Sequence, residues 1–496
     1  MFKLTHKLLN FQLASRFFSA ETSDLHGTLH FRFLEHLKKN QHFKNQELSS
    51  LIDLFKDDPK RFGSRGHIER CKEIDRTCLH NLHQKKREEI TGQLDTIIEA
   101  MPGVVTNLKS FHEALAVLLQ KFDSNPSTRE FVHLSFYLGL LKKKSPGPEM
   151  LNKLIKRYLD EAVPHMSTTD FAIFCTACYK ASLRIESMNF KNRLVEEIIE
   201  MKKIDQHFYV AFIKSLRMNE INALRLFKTL KKQSKAGMFD EIELKPLVHI
   251  FALVADNGIA DTELSSYFSD LCIARIEEDS RVKDIQKFLY SCALLNVSLK
   301  KSQLKKLEDH LKVKMKQTEY EKWFDNFVDA ILSLWMLGMK SQELIETLLK
   351  DPRFHYTGDR SRVKIDSRKK LLLTCVEIER PEWVESVTIA EPSFNEERQA
   401  PSYLVTPALH AAMKKLRRNS VFVQQILHLN IAGILVKEPG RKSIHYEVLD
   451  NRNLLSDLKT PNGILALKLR LLKHKNCQVR LVSSSGSCFN DYNYEK

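Results

Sequence analysis

Basic side chains are the residues of this chain whose type and position best fit a chemical task. Residues 401–496 contain 15 Lys and Arg against 6 Asp and Glu, a net charge of +9 out of +16 for the whole chain. Such side chains bind phosphate, Arg through paired hydrogen bonds and Lys as a point charge. We therefore predict a phosphate-binding surface formed by the following residues: Lys414, Lys415, Arg417, Arg418, Arg441, Lys442, Lys468, Arg470 and Lys473.

A strand, a helix and a second strand are predicted to position most of these residues. Residues 444–450 and 477–482 are short apolar runs typical of strands, and residues 464–473 form a basic amphipathic helix after a Pro and a Gly. On that helix Arg470 and Lys473 are expected to face the solvent. Lys468 falls within the apolar arc, so it must extend to solvent or reach a partner. A further helix over 408–416 is predicted to end in the basic run of residues 414–418.

This order of elements resembles the RAP domain that ends proteins of the FAST-kinase-like family, which act on RNA inside mitochondria. The run Ile331 to Met339, with Trp335 and Gly338, is similar to a phrase of that family's repeats. The resemblance covers residues from about 130 to 482. It implies an RNA-binding protein of the mitochondrial matrix that controls the processing, stability or translation of organelle transcripts. Its partners would be mitochondrial RNA and proteins of the mitochondrial ribosome or of RNA granules.

The same resemblance raises a catalytic hypothesis. RAP domains are similar to restriction-endonuclease-like folds, in which two acids and a Lys hold a divalent metal and activate water. Glu447, Asp450 and Lys468 are therefore candidates for a metal-dependent endoribonuclease. The family spacing is Glu-x-Asp-Gly, whereas this chain has one more residue between its acids, which puts them on opposite faces of a strand. Binding without cleavage is the preferred prediction; an endoribonuclease and a structural or assembly component of the mitochondrial ribosome are the alternatives.

Kinase activity, which the family name suggests, is not predicted. The chain has 15 Gly and contains neither a G-x-G-x-x-G nor a G-x-x-x-x-G-K-[ST] loop, and it has no H-R-D or D-F-G triplet. Cys175 and Cys178 form a C-x-x-C without a second Cys or His pair at zinc-finger spacing, so we interpret them as core thiols. No metal and no cofactor is predicted.

A helical repeat is predicted before the basic region. Apolar residues that open a helix recur at intervals of 36 to 42 residues, about 39 on average. A small-residue turn and a second helix follow each of them. One such hairpin cannot bury its apolar face alone, so we expect the hairpins to stack as an α-solenoid. The opening residues are Phe131, Phe171, Phe208, Leu244, Ile285 and Phe327.

The predicted organisation is mainly α-helical, with a small α/β domain at the end. Residues 1–18 have the acid-free, basic and amphipathic composition of a mitochondrial targeting presequence. A polar helical region over 19–105, the solenoid over 106–350, a FAST-like linker over 351–400 and the RAP-like domain over 401–496 follow. No apolar run reaches the length of about 20 residues that a membrane span needs.

Overall fold

The structure is a computed structural model. It describes residues 29–38, 48, 64–100, 105–122, 126–141, 146–355, 363–383, 398–416, 420–426, 428–437, 443–483 and 488–489. The predicted presequence, residues 1–18, lies outside them. The described residues are mainly helical and end in a small mixed sheet, in agreement with the predicted fold class at this level. They divide into two compact units, Met1–Leu226 and Phe227–Lys496.

The described residues of the first unit are a succession of helices. Ser127 and Ser167 begin two of them, and each Ser forms a capping box with the acid three residues later. The helices that open the successive pairs, α5, α7 and α9, pack side by side and are buried on most of their surface. The bounds are α1 Leu29–Lys38, α2 Ser64–Leu79, α3 Arg87–Ala100, α4 Lys109–Gln120, α5 Thr128–Leu140, α6 Gly147–Ala162, α7 Thr168–Ala181, α8 Met188–Ile199, α9 Gln206–Met218 and, across the unit boundary, α10 Leu224–Lys235.

The second unit continues with helices of the same alternating kind. The opening helices α11, α13, α16 and α19 form a row in which each packs against the next. Asn296 and Gly338, both with positive φ, lie in the turns after α13 and α16. The bounds are α11 Leu244–Asp256, α12 Thr262–Ala274, α13 Val282–Leu294, α14 Lys301–Met315, α15 Thr318–Lys322, α16 Phe324–Met336, α17 Gln342–Lys350, α18 Pro352–His355 and α19 Val363–Glu379.

The six predicted opening residues lie at the starts of helices, and the predicted linker contains a helix. Each of the six predicted opening residues lies within the first four residues of a helix: α5, α7, α9, α11, α13 or α16. The predicted linker, residues 351–400, contains the 17-residue helix α19. Leu372, Cys375 and Val376 of that helix are buried between neighbouring helices, so tertiary packing makes this segment the last member of the row.

A six-stranded sheet closes the second unit, with β1 to β6 in sequence order across it. β4 and β5 are parallel, and the other neighbours are antiparallel. The bounds are β1 Arg398–Gln399, β2 Ser420–Gln424, β3 Gly433–Val436, β4 Ile444–Leu449, β5 Gln478–Ser483 and β6 Cys488–Phe489, with helices α20 Pro407–Leu416 and α21 Gly463–His474. The predicted strand, helix and second strand are β4, α21 and β5, while β2 and β3 have no counterpart among the predicted elements.

The two helices cover opposite faces of the sheet. Tyr446 and Val448 of β4 point towards α20 in one apolar cluster. Leu449 of the same strand packs with Leu465 and Leu469 of α21 in another. Because side chains alternate along a strand, Glu447 lies on the α21 side. The α21 helix is the crossover that two parallel neighbouring strands require.

The helix α21 also lies across the row of opening helices. Gly463, at its start, is so close to α13 that an added Cβ would lie 1.8 Å from the Ala293 carbonyl oxygen. Arg470 donates to the carbonyl oxygens of Trp335 and Met336, at the end of α16. The seven residues between these contacts rise about 10 Å, which is the usual spacing of packed helices. The α21 helix therefore crosses the carboxyl ends of α13 and α16 in succession.

Candidate nucleic-acid interface

Lys468 forms a buried ion pair with Glu447. Its Nζ donates to Glu447 Oε2 at 2.7 Å and to the carbonyl oxygen of Ile431 at 3.2 Å. Both side chains are enclosed between the sheet and α21, with 0% and 2% of their surface exposed. The sequence analysis placed Lys468 in the apolar arc of the helix, where it must extend to solvent or reach a partner. In the structure it reaches a partner, Glu447. Lys468 is therefore absent from the exposed surface that the sequence predicted for it.

The environment of Glu447 is set by its enclosure. Burial raises the pKa of Glu447 above its usual value, and the charge and hydrogen bond of Lys468 act in the opposite direction. The carboxylate also occupies the space beside Gly433, where an added Cβ would lie 2.7 Å from Glu447 Oε1. Because residue 433 is a glycine, the Glu447 carboxylate has space beside β3 to pair with Lys468.

Asp450 has a local structural task. Its backbone N–H donates to Asn453 Oδ1, and its own carboxylate accepts from the backbone N–H of Arg452, both at 2.9 Å. These contacts close the turn that follows β4. Glu447 faces α21, whereas Asp450 serves the loop beyond the strand, so no described contact brings the two acids together. The geometry of the described residues does not favour the metal-dependent endoribonuclease.

Arg470 is held by a second buried carboxylate, Glu379 at the end of α19. The Arg470 Nε lies 2.9 Å from Glu379 Oε1, and the Glu379 side chain has no exposed surface. The indole N–H of Trp335 donates to Glu379 Oε2 at 2.5 Å, and Lys340 Nζ lies 3.3 Å from the same oxygen. The Arg470 side chain, 30% exposed, therefore joins α21 to α16 and α19 instead of extending into solvent as the sequence suggested.

Three other predicted cations are exposed: Lys414 and Lys415 in the last turn of α20, and Lys473 in the last turn of α21. The strand register brings both helix ends to one edge of the sheet. Ser420 of β2, Val436 of β3, Ile444 of β4 and Gln478 of β5 are paired in a continuous line across it.

The ends of α20 and α21 lie beside this line. Leu416 is four residues before Ser420, a span of at most about 14 Å, and Lys473 is five residues before Gln478. Two lysines that the sequence did not single out belong here as well: Lys437 directly after β3, and the half-buried Lys475 before β5. We name this surface the basic edge; its residues are Lys414, Lys415, Lys437, Lys473 and Lys475.

The charge of the basic edge exceeds what the helix ends require. Lysines in a last turn offset the helix dipole, which carries about half a negative charge at each carboxyl end. The two helices together supply about one negative charge, against five lysines. Glu438, which directly follows Lys437, lies outside the described residues; it is the one Asp or Glu within two positions of these lysines in the sequence. The lysines therefore give this edge a net positive charge beyond what the two helix ends offset.

The remaining predicted cations, Arg417, Arg418, Arg441 and Lys442, lie outside the described residues. The sequence analysis did not identify Glu379, Lys437 or Lys475 as residues of the site, because no sequence pattern marks them. Glu379 is 91 residues from its partner Arg470, and the lysines join the edge only through the strand register.

Comparisons with known proteins do not assign this chain to a family. No protein-family model matches it, and no curated protein sequence is significantly similar to it. None of the helices in the described parts of the chain is long and apolar enough to cross a membrane.

Proposed function

We propose that this chain is an RNA-binding protein of the mitochondrial matrix that acts in post-transcriptional control of organelle transcripts, through their processing, stability or translation. The basic edge is the single observation that carries the proposal. It gathers five lysines from three separate chain segments at one edge of the sheet. Phosphate neutralisation by such a surface releases counterions and gives affinity for a polyanion.

The helical pairs have a supporting role in this proposal. They would be repeats of about 39 residues, stacked as a solenoid that presents a RAP-like α/β domain at its end. The contacts between α21 and the row of opening helices support a fixed attachment, because Arg470 alone makes hydrogen bonds to three residues of that row. A fixed attachment would hold the basic edge in one orientation relative to RNA that runs along the helices.

Reversal of charge at the basic edge tests the proposal. We expect Lys414→Glu with Lys415→Glu to weaken RNA binding at least tenfold at moderate salt, since two attractive contacts become repulsive. The slope of log affinity against log salt should fall by about 0.7 for each lost phosphate contact on single-stranded RNA. Fluorescence anisotropy with the full-length chain and labelled mitochondrial RNA, over a range of salt concentrations, measures both quantities.

A matched control lies at the other end of the same strands. Arg452 and Lys459 are exposed cations of the loop between β4 and α21, which follows the carboxyl end of β4. Arg452→Glu with Lys459→Glu gives the same change in net charge and should retain most of the affinity. Equal loss in both double variants would show a response to overall charge and would overturn the basic edge as the RNA site.

The same samples distinguish the other functional classes. Intact RNA after incubation with magnesium agrees with binding alone. Cleavage that is lost in Glu447→Ala with Asp450→Ala, while circular dichroism shows the variant to be folded, would establish the endoribonuclease. Co-sedimentation with mitochondrial ribosomal subunits at high salt would instead identify a ribosomal component.

A further inference from the structure

The basic edge continues onto the row of opening helices. His474, in the last turn of α21, lies with its Nε2 3.5 Å from Glu379 Oε1 at the end of α19. The neighbouring residue Lys473 is exposed and belongs to the basic edge. The end of α19 is therefore adjacent to the basic edge. Residues at the end of α19 can contact an RNA that is bound at the basic edge.

Two further cations, Lys340 and Arg380, lie near the Glu379 carboxylate at the end of α19. Lys340, in the turn after α16, lies 3.3 Å from Glu379 Oε2 and retains 21% of its side-chain surface. Arg380, which directly follows Glu379, has 49% of its side-chain surface exposed. It lies 3.7 Å from the carboxylate of Glu382, which is itself mostly exposed, and such a pair contributes little to holding a side chain. One enclosed carboxylate thus faces Arg470, Lys340 and His474, with Arg380 beside it.

An aromatic ring lies beside these cations. Trp383 follows Arg380 in the short turn Pro381–Trp383 and is half-buried. Its ring meets the completely buried Trp335 edge to face, with centroids 5.9 Å apart. The Arg380 guanidinium carbon lies 5.8 Å from the Trp383 ring centroid. The Trp383 ring thus packs against a buried ring, and the partly exposed Arg380 side chain lies beside it.

A partly exposed indole that packs against a buried ring and has cations around it can bind single-stranded nucleic acid. Unpaired bases stack on aromatic rings, and the phosphates between them bind the neighbouring cations. Bases in a duplex are already stacked on one another and cannot reach such a ring without being extruded. Phosphate contacts alone, as at the basic edge, would not distinguish the two forms of RNA.

We propose that the RNA ligand is single-stranded and that one of its bases stacks on Trp383, in the position that the Arg380 guanidinium occupies in the free protein. The displaced Arg380, with Lys340 and His474, binds the adjacent phosphates, and the strand continues along the basic edge. This inference rests on the proposed RNA-binding function and adds the class of RNA and the residue that selects it.

Binding of two RNAs by the full-length chain tests the inference. The probes are an unstructured oligouridine of about 20 nucleotides and a duplex of the same length at the same salt concentration. We expect Trp383→Ala to weaken oligouridine binding about 5- to 150-fold and to leave duplex binding unchanged, because base–aromatic stacking contributes this range. Trp383→Phe retains a stacking ring and should bind oligouridine within about threefold of the parent.

Two controls separate stacking from folding. Trp323→Ala removes another half-buried indole of this unit, one covered by Lys283, and should leave both affinities unchanged. Stacking also quenches indole fluorescence, so saturating oligouridine should quench the parent and the Trp323→Phe variant, but not Trp383→Phe.

The outcomes distinguish this inference from the function on which it rests. Failure of the parent chain to bind either RNA would overturn both. Binding of both RNAs with equal affinity, together with unchanged oligouridine binding by Trp383→Ala, would overturn the inference and leave RNA binding in place. Selective loss of oligouridine binding in Trp383→Ala, with retention in Trp383→Phe, supports it.

Discussion

At the scale of single residues, two cations of α21 have carboxylate partners inside the protein. Lys468 pairs with Glu447 beneath the helix, and Arg470 pairs with Glu379 of the neighbouring helix row. A buried charge that loses its partner is costly, because its hydration is not recovered. The two side chains therefore hold the α/β domain together and in place, and the proposed RNA site is formed by other residues.

The pair of Lys468 and Glu447 gives the first prediction at this scale. Lys468→Met leaves the Glu447 carboxylate buried without a counter-charge, and we expect the free energy of unfolding to fall by about 3 kcal/mol at neutral pH. Urea unfolding followed by circular dichroism measures the change. Addition of Glu447→Gln to this variant should recover a large part of the loss, whereas a further loss would contradict the role of the pair.

The pH dependence of that variant has a defined sign. Burial already raises the pKa of Glu447, and removal of Lys468 raises it further because the attractive charge is gone. A folded state with the higher pKa binds more protons than the unfolded state, so its stability falls as pH rises from the unfolded pKa through the folded one. The deficit of Lys468→Met should thus be smaller near pH 5 than near pH 8; an equal deficit would contradict the assignment.

At the scale of elements, the crossover from β4 through α21 to β5 decides where side chains meet. Parallel strands begin at the same edge, so the end of α21 must return to the edge at which β4 begins. The antiparallel partners β2 and β3 bring the end of α20 and Lys437 to that edge too. The start of α21 lies at the opposite edge, where it meets α13.

Gly463 tests the contact between α21 and α13. In a helix Gly→Ala usually stabilises by up to about 1 kcal/mol. Here the Cβ of an alanine would lie 1.8 Å from the Ala293 carbonyl oxygen, so α21 must shift away from α13. We expect Gly463→Ala to lower the free energy of unfolding by about 2 kcal/mol, as overpacking does. A thermal melt decides the sign, and stabilisation would exclude the close contact.

At the scale of the second unit, the α/β domain is attached along a row of helix ends. Ser456 exchanges hydrogen bonds with Gly258 and Ala260 after α11, and the Asn296 side-chain amide donates to the Pro461 carbonyl oxygen after α13. Arg470 and His474 continue the series at α16 and α19. Contacts at four successive helices make domain and row one structure, which the proposed RNA path requires.

Arg470 tests this attachment against the role that the sequence suggested for it. We expect Arg470→Met to lower the free energy of unfolding by about 2–3 kcal/mol, because Glu379 loses its closest cation. Arg470→Lys should recover little, since an ammonium cannot reproduce the forked contacts of guanidinium. Below the melting temperature the salt dependence of RNA affinity should equal that of the parent; a slope reduced by about 0.7 would instead identify Arg470 as a phosphate contact.

A large part of the fold follows from sequence patterns. The recurrence of Phe131, Phe171 and the later opening residues located the starts of six helices, because helical periodicity and local capping act over a few residues. The bounds of β4, α21 and β5 followed from the same kind of local signal. The strands β2 and β3 did not, since they are short and their apolar residues carry no clear alternation.

The sequence by itself determined the helical pairs, the terminal strand–helix–strand unit and the concentration of positive charge, since each depends on residue type and local order. Only the tertiary structure decided which cations remain exposed. Lys468 and Arg470 differ from Lys473 because carboxylates 21 and 91 residues away are folded against them. The tertiary structure also assembled the basic edge, since strand pairing places residues far apart in the chain within one short line.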